Sequence, residues 1–133
     1  MNYKHIILTR FNLQYDLQSN IHIQDSWLEE RFRLFEQYCF PSIIAQTNQQ
    51  FDWVILVSDQ TPKNYLSRLA KHTNSHLNIY IELCTYYEDV NVLYNNIGEK
   101  YVHGYDYLLS TRVDNDDMLA KDFVETLQKL LPT

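Results

Sequence analysis

Glycine is scarce in this chain: its 133 residues include only Gly98 and Gly104. A P-loop and a G-x-G-x-x-G dinucleotide turn each need several glycines close together, so both are excluded. A phosphate that binds this chain is therefore not cradled by a glycine loop. The two cysteines, Cys39 and Cys84, are too few for a disulfide framework or a cysteine-based metal cluster. A reduced, cytoplasmic compartment is the resulting expectation.

Long apolar runs and basic clusters are missing as well. No run approaches the length of a membrane span, and the N-terminus has no signal-peptide pattern. The formal net charge is −6, which argues against nucleic acid as a partner because no basic cluster offsets it. An anionic ligand would need local help from a metal ion or from arginines.

The chain instead has the composition of one soluble globular domain, with 45% hydrophobic and 21% charged residues. Strands are predicted at residues 5–9, 51–57, 77–83 and 105–113, with the third nearer an edge and the fourth buried and central. These strands alternate with segments at helical spacing. Such alternation predicts an α/β fold of three layers, α/β/α, with a mainly parallel twisted sheet and helices on both faces.

The helices are predicted from apolar residues at helical spacing. Ser26 and Glu29 have the spacing of a capping box, and Asp25 adds favourable charge where this first helix begins. That helix should run to about residue 47 with a kink or restart at Pro41, which has no backbone N–H to donate. Further helices are predicted from Pro62, over residues 90–101 and over residues 123–130. Residues 12–24 are predicted as a mobile loop and residues 84–89 as a tyrosine-rich turn.

The predicted fourth strand ends in an acidic stretch that contains Asp114, Asp116 and Asp117. Because residues i and i+2 of an extended chain point to the same side, Asp114 and Asp116 are predicted to converge. They would do so beyond the strand's C-terminal end, where open α/β sheets bind ligands. Carboxylate oxygens suit Mg²⁺ or Mn²⁺, whereas Asp117 is expected to point away and to cap the last helix. The alternative is a solvated acidic turn that only caps that helix.

Polar side chains also follow the first two predicted strands. Thr9 and Arg10 end the first strand, and Arg10 either pairs with a carboxylate or faces a ligand phosphate. Asp59 follows the second strand, where it either caps a turn or faces a ligand. Because parallel strands end on one edge of a sheet, Asp59 and Asp114 are predicted to share that edge.

Three separated passages resemble GT-A glycosyltransferases. Residues 41–59 resemble a passage in which Ser-x-x-x-Gln-Thr is followed by a strand and then by an aspartate. Residues 5–12 resemble the first strand of these enzymes and its base-binding edge. Residues 111–117 resemble their Asp-x-Asp metal motif. Within that superfamily the chain is most similar to the putative rhamnosyltransferase family, which also has an Ile-Leu-Thr-Arg-Phe-Asn opening and an Arg-x-Asp-Asn-Asp-Asp end. The likeness spans nearly the whole chain. Ser58 and Asn95 depart from the pattern, since an acidic residue and an arginine are usual there.

The resemblance implies a nucleotide-diphospho-sugar site across the strand ends. By it, Asp59 receives the pyrimidine base, and Asp114 lies near the ribose or sugar. Asp116 binds a divalent metal, Mn²⁺ or Mg²⁺, that bridges the two phosphates. Arg10 and Arg112 are added as phosphate or base contacts because of their charge and strand-end position. The predicted nucleotide-sugar-binding residues are Thr9, Arg10, Asp59, Arg112 and Asp114, and the predicted metal ligands are Asp116 and Asp114.

The predicted function is that of a metal-dependent glycosyltransferase domain. It would take a nucleotide-diphospho-sugar, with dTDP-rhamnose and UDP-sugars as candidates, and serve transfer to a glycan or another hydroxyl acceptor. By the resemblance, the acceptor-binding half and the catalytic base follow the metal motif. Residues 1–133 are therefore expected to be a single N-terminal domain of a longer enzyme, inactive or weak alone.

Other classes of function compete with this one. The main alternative is a non-catalytic module of the same fold that binds nucleotide or associates with proteins. A metal-dependent phosphatase ranks last, because the first strand ends in Thr9 and Arg10 instead of an aspartate nucleophile. An EF-hand fails because Met118 stands where a ligand belongs and the required glycine is absent.

Overall fold

A computed structural model describes residues 2–85 and 90–131. Its strands are β1 Tyr3–Arg10, β2 Asp52–Ser58, β3 Ile79–Cys84 and β4 Tyr107–Arg112. They form one parallel sheet in the order β3-β2-β1-β4. The helices are α1 Asp25–Leu34, α2 Phe40–Ile44, α3 Lys63–Thr73, α4 Val90–Tyr101 and α5 Phe123–Lys129. The predicted α/β class with a parallel sheet is confirmed, while residues 86–89 of the predicted tyrosine-rich turn lie outside the described residues.

Helices cover both faces of the sheet, as predicted. Side chains alternate along the two central strands, so Ile7 and Ile55 belong to one core cluster while Ile6 and Leu8 belong to the other. Residues from α1, α2, α3 and α5 share the first cluster, and residues from α4 share the second. The helical members of the first cluster are Leu28, Phe32, Phe40, Ile43, Tyr65, Leu69 and Val124, and those of the second are Leu93 and Ile97.

The helical region between residues 25 and 44 is interrupted. Five residues, Phe35–Cys39, form a π-helical turn in which the Phe40 N–H donates to the carbonyl oxygen of Phe35, five residues back. We attribute this turn to Pro41, which cannot donate a hydrogen bond and crowds the carbonyl four residues before it. The predicted interruption at Pro41 is confirmed, although the helix ends at Ile44 rather than near residue 47.

The predicted capping box at the start of α1 is wrong. The residue before the helix is Gln24, whose side chain makes no capping hydrogen bond, and Ser26 lies inside the first turn. Glu29 is used differently, because its carboxylate accepts hydrogen bonds from the Tyr65 hydroxyl at 3.2 Å and from Arg68 at 3.1 Å. These contacts tie α1 to α3, so a tertiary interaction has replaced the local one.

The position of β4 also differs from the prediction of a buried central strand. It is an edge strand, and Tyr107 and Leu108 are 55% and 47% exposed. The central strands are β1 and β2, whereas β3 lies at an edge as predicted. An apolar run indicates a strand, but its place in the sheet depends on which distant strands pair with it.

The last helix, predicted over residues 123–130, ends one residue earlier at Lys129. Its fully buried residue is Val124, whereas Leu130 is 77% exposed. Across residues 2–85 and 90–131, none of the helices combines the length and the apolar character needed to cross a bilayer.

Candidate functional site

Three polar strand ends meet at one edge of the sheet. Because β1, β2 and β4 are parallel neighbours, their C-terminal ends lie together. Asp59 follows β2 and Asp114 follows β4, which confirms that the two residues share this edge. One strand, β1, lies between β2 and β4, so these two strands are roughly 10 Å apart, twice the usual spacing of paired strands.

Asn115 anchors the segment that follows β4, which we call the acidic turn and define as residues 114–117. Its side chain is buried, and its Nδ2 donates to the carbonyl oxygen of Phe11 at 2.7 Å. Two residues before Asn115, the Val113 N–H donates to the carbonyl oxygen of Leu8 at 2.9 Å. The acidic turn is therefore held against the end of β1, which leaves the neighbouring aspartates to face solvent.

Three exposed carboxylates gather on this turn. One oxygen from each of Asp114, Asp116 and Asp117 lies within 4.8 Å of the others. The predicted convergence of Asp114 and Asp116 is confirmed, although it arises on a turn after β4 rather than on an extended strand. Asp117 joins them, so the prediction that it points away to cap the last helix is wrong. The Asp117 N–H donates to the carbonyl oxygen of Asp114 at 3.1 Å, which folds the turn back, and α5 begins after Asp122 without a side-chain cap.

The chemistry of this donor set fits a hard divalent cation. Oxygens bound to one Mg²⁺-like ion stand about 3 to 4 Å apart, because each bond is about 2.1 Å long and the geometry is octahedral. The carboxylate oxygens are within 4.8 Å of one another, so small side-chain rotations would bring them to that spacing. Three like charges so close together also favour a cation between them.

A cavity of about 310 Å³ opens beside the acidic turn. Its walls come from the end of β1, residues 11–22, α1 and the acidic turn. The lining residues are Arg10, Phe11, Asn12, Leu13, Tyr15, Asp16, Ser19, Ile21, His22, Trp27, Arg31, Asp114, Asn115 and Asp116. Its volume is at the lower end of the range for small-molecule sites, which suits part of a ligand that also extends over the strand ends.

Arginines stacked on aromatic rings surround the strand ends. The three pairs are Arg10 on Tyr15, Arg112 on Tyr94 and Arg31 on Trp27, with distances of 5.6, 5.7 and 5.5 Å from the guanidinium carbon to the ring centre. Arg112 pairs in register with Leu8, so Arg10, two residues along β1, is on the same sheet face. Neither Arg10 nor Arg112 forms a salt bridge within residues 2–85 and 90–131. Their charges are therefore available to an anion.

The predicted site residues do not all line the cavity. Arg10, Asp114 and Asp116 do, whereas Asp59 and Arg112 are exposed at the strand ends outside it. Thr9 is fully buried, and its hydroxyl accepts a hydrogen bond from Trp53 Nε1 at 2.9 Å. The Thr9 side chain therefore belongs to the core, where it fixes β1 against β2, rather than to the cavity wall.

The cavity also contains side chains that were not among the predicted site residues. Asn12 lies within the predicted base-binding edge of residues 5–12, but its contacts were not predicted: its Oδ1 accepts from the Ser58 N–H at 3.2 Å, and its Nδ2 donates to Thr61 Oγ1 at 2.7 Å and to the His22 carbonyl at 3.1 Å. It thereby joins β1, β2 and the loop that covers the cavity. Burial lowers the pKa of His22, so the neutral imidazole is favoured in this wall.

Arg31 was also missed, although the sequence held a signal for its position. Trp27 and Arg31 are four residues apart on α1, which places the guanidinium beside the indole on one helix face. Arg31 NH1 then reaches across to Asn115 Oδ1 and Asp116 Oδ2, both at 3.2 Å. The helix and the acidic turn are joined at the cavity through this side chain.

Comparison with known proteins assigns the chain to a family. The sequence profile of the family described as "Putative rhamnosyl transferase" matches residues 4–133. The chain belongs to this family. None of the curated proteins matches it. The match contains every site residue described above, and the family description implies a glycosyltransferase with a sugar donor and an acceptor.

Proposed function

We propose that this chain is the nucleotide-diphospho-sugar-binding domain of a metal-dependent glycosyltransferase with a GT-A arrangement. The observation that carries the proposal is the meeting of three carboxylates with an arginine-lined cavity at the C-terminal edge of a parallel sheet. The family match supports sugar transfer, and rhamnose is the first sugar to test because the family description names it.

The proposal includes a metal ion because the site and the diphosphate are both negatively charged. The chain has a net charge of −6, and the acidic turn would repel a bare diphosphate. Asp116 and Asp114 are the proposed ligands of Mn²⁺ or Mg²⁺, and the observed position of Asp117 adds a third carboxylate to them. When bound, such an ion supplies electrostatic stabilisation of the charge that develops on the diphosphate leaving group.

The other predicted residues have separate proposed roles. Arg10 and Arg112 would contact phosphate or base, since each guanidinium lies over a tyrosine ring and forms no salt bridge among the described residues. Asp59 would receive the pyrimidine base at the end of β2, and Asp114 would lie near the ribose or sugar. Thr9 would act indirectly, by holding the end of β1 through Trp53.

Calorimetric titration with nucleotide sugars tests the proposal. Purified protein is titrated with dTDP-rhamnose, UDP-sugars and GDP-sugars, each with and without Mn²⁺. We expect binding of one nucleotide class that depends on Mn²⁺, because the carboxylates repel the free diphosphate. The proposal would be overturned if none of these nucleotide sugars binds, or if binding is equally tight in the presence of a chelator. Binding without transfer to any acceptor would favour the non-catalytic alternative.

A further inference from the structure

Arg31 uses few of its hydrogen-bond donors. A guanidinium has five N–H donors, yet among the described residues only its NH1 is engaged, by Asn115 Oδ1 and Asp116 Oδ2. The Nε atom is buried and has no partner there. The guanidinium carbon lies 5.5 Å from the centre of the Trp27 ring, and both residues line the cavity. The second terminal nitrogen of Arg31, NH2, forms no hydrogen bond among the described residues and is therefore available to an anion in the cavity that Arg31 lines.

The ion pair between Arg31 and Asp116 is a weak one. It is a single contact of 3.2 Å, not the two-pronged arrangement that arginine and a carboxylate can form, and the side chains are 29% and 40% exposed. Solvent screens a pair of this kind, and such pairs hold little net stabilisation. A stronger competitor for the carboxylate can therefore separate the two side chains.

A divalent cation on the acidic turn is such a competitor. Asp116 is one of the three carboxylates whose oxygens gather there, and its Oδ2 is the atom that Arg31 contacts. A cation bound to Asp116 would lie within several ångströms of the guanidinium, where the two positive charges repel. Arg31 and the cation thus oppose each other at Asp116, whereas a diphosphate attracts both of them.

We propose that Arg31 is a donor-binding residue that competes with the divalent cation for Asp116 and turns to the donor's diphosphate when the cation binds. This inference rests on the proposed function and adds regulation to the same site. Without nucleotide, Arg31 keeps Asp116 paired and weakens cation binding. With nucleotide, the diphosphate satisfies the donors of Arg31, so cation and nucleotide bind tightly only together, and by linkage each raises the affinity of the other.

Arg31→Met tests this inference because methionine keeps an unbranched stem on Trp27 but removes the charge and the donors. Binding of Mn²⁺ alone and of dTDP and UDP at saturating Mn²⁺ is measured by calorimetry. Mn²⁺ alone should bind about three- to tenfold more tightly, since a nearby positive charge is gone. The nucleoside diphosphate that binds the wild type should bind about ten- to a hundredfold more weakly, since a charge-assisted hydrogen bond is lost.

Two other variants separate charge from geometry. Arg33→Met is the matched control: Arg33 is exposed on the same helix, bonds Glu30 and does not line the cavity, so both affinities should stay at wild-type values. Arg31→Lys keeps the charge and loses the planar fork. It should bind Mn²⁺ alone like the wild type and bind the nucleoside diphosphate with intermediate affinity. Thermal melting of each variant confirms that it is folded.

The outcomes distinguish the inference from the proposed function. If Arg31→Met weakens Mn²⁺ and nucleotide alike, Arg31 only holds the acidic turn in place, and the competition is refuted. Unchanged affinities in a folded Arg31→Met protein would refute it too. If the wild type binds neither Mn²⁺ nor a nucleoside diphosphate, the proposed function fails, and the inference falls with it.

Discussion

Two polar clusters differ in burial and in hydrogen bonding. The first, which we call the His5 network, consists of His5, Thr111, Gln128 and Tyr3. His5 is 2% exposed, and its ring nitrogens contact Thr111 Oγ1 at 2.9 Å and Gln128 Nε2 at 3.0 Å. Because the amide nitrogen donates, Nδ1 accepts and the neutral ring donates from Nε2. Gln128 Oε1 accepts from the Tyr3 hydroxyl at 2.8 Å, so the network joins α5 to the sheet.

The second cluster is the acidic turn with Arg31. Its carboxylates are exposed and repel one another, and Arg31 Nε has no partner among the described residues. The groups of the His5 network satisfy each other and so serve folding, whereas the carboxylates of the acidic turn are exposed and paired only through one contact of Asp116 with Arg31, which suits the proposed role in binding. Variants in the first cluster should therefore change stability, and variants in the second should change binding.

Asp116→Asn should produce the largest effect, and it tests whether the acidic turn serves binding rather than stability. The variant removes the charge of the main proposed metal ligand but keeps the shape of an exposed side chain. We expect metal-dependent nucleotide affinity to fall at least about a hundredfold, as loss of a charged ligand implies, with little change in thermal stability. Calorimetry with Mn²⁺ and nucleoside diphosphate measures it, and Asp122→Asn, an exposed aspartate outside the acidic turn, is the control. Wild-type binding by Asp116→Asn would reduce the acidic turn to a solvated turn.

The pH dependence of stability tests whether the His5 network serves folding. Burial lowers the pKa of His5 from 6.5 to about 4, so the folded protein holds the neutral ring while the unfolded chain becomes protonated. Protonation of His5 in the unfolded chain therefore lowers the free energy of unfolding as the pH falls from 6.5 toward 4, and it has no effect well above pH 6.5. By linkage, this loss in the free energy of unfolding is about 3 kcal/mol at most.

Urea unfolding between pH 4.5 and 7.5 measures this contribution to the free energy of unfolding. His5→Gln should show a shallower pH dependence, with a remainder from His22, whose pKa burial also lowers. The exposed His103 supplies the control, since His103→Gln should keep the wild-type slope. An equal slope in His5→Gln and wild type would show that His5 does not titrate as the network requires.

Gln128→Leu should have a somewhat smaller effect on stability. It leaves His5 Nδ1 and the Tyr3 hydroxyl without their partner, and a buried polar group without a partner costs about 1 to 3 kcal/mol. We expect the free energy of unfolding to fall by about that amount while nucleotide affinity is unchanged. Lys129→Ala, at an exposed position of the same helix, is the control. A loss of nucleotide binding in folded Gln128→Leu would contradict the separation of the two clusters.

Asp117→Asn should have the smallest effect. Its carboxylate is close to the other two, but Asp117 does not line the cavity. Mn²⁺ affinity should fall by a few-fold, roughly the loss of one exposed charge interaction of 1 kcal/mol or less. Calorimetry beside Asp116→Asn provides the measurement. A decrease as large as that of Asp116→Asn would make Asp117 an equal metal ligand.

Local patterns in the sequence were enough for the class of fold and for part of the site. Strand and helix periodicities are set by neighbouring residues, so the α/β alternation and the bounds of α4 at Val90–Tyr101 could be predicted. Asp114 and Asp116 were predicted to converge because residues i and i+2 of an extended chain share a side, and they do lie together, although on a turn that also brings in Asp117. A parallel sheet then placed Asp59 and Asp114 at one edge.

Only the tertiary structure decided which distant residues meet. Arg31 contacts Asp116 across 85 residues of sequence, and Gln128 contacts His5 across 123. The edge position of β4 likewise depends on its pairing with β1, which lies far away in the chain. Periodicity reports which way a side chain faces on its own element, but the partner on another element is selected by packing of the whole fold. For that reason the acidic motif could be recognised from sequence, whereas the contact that Arg31 makes with it could not.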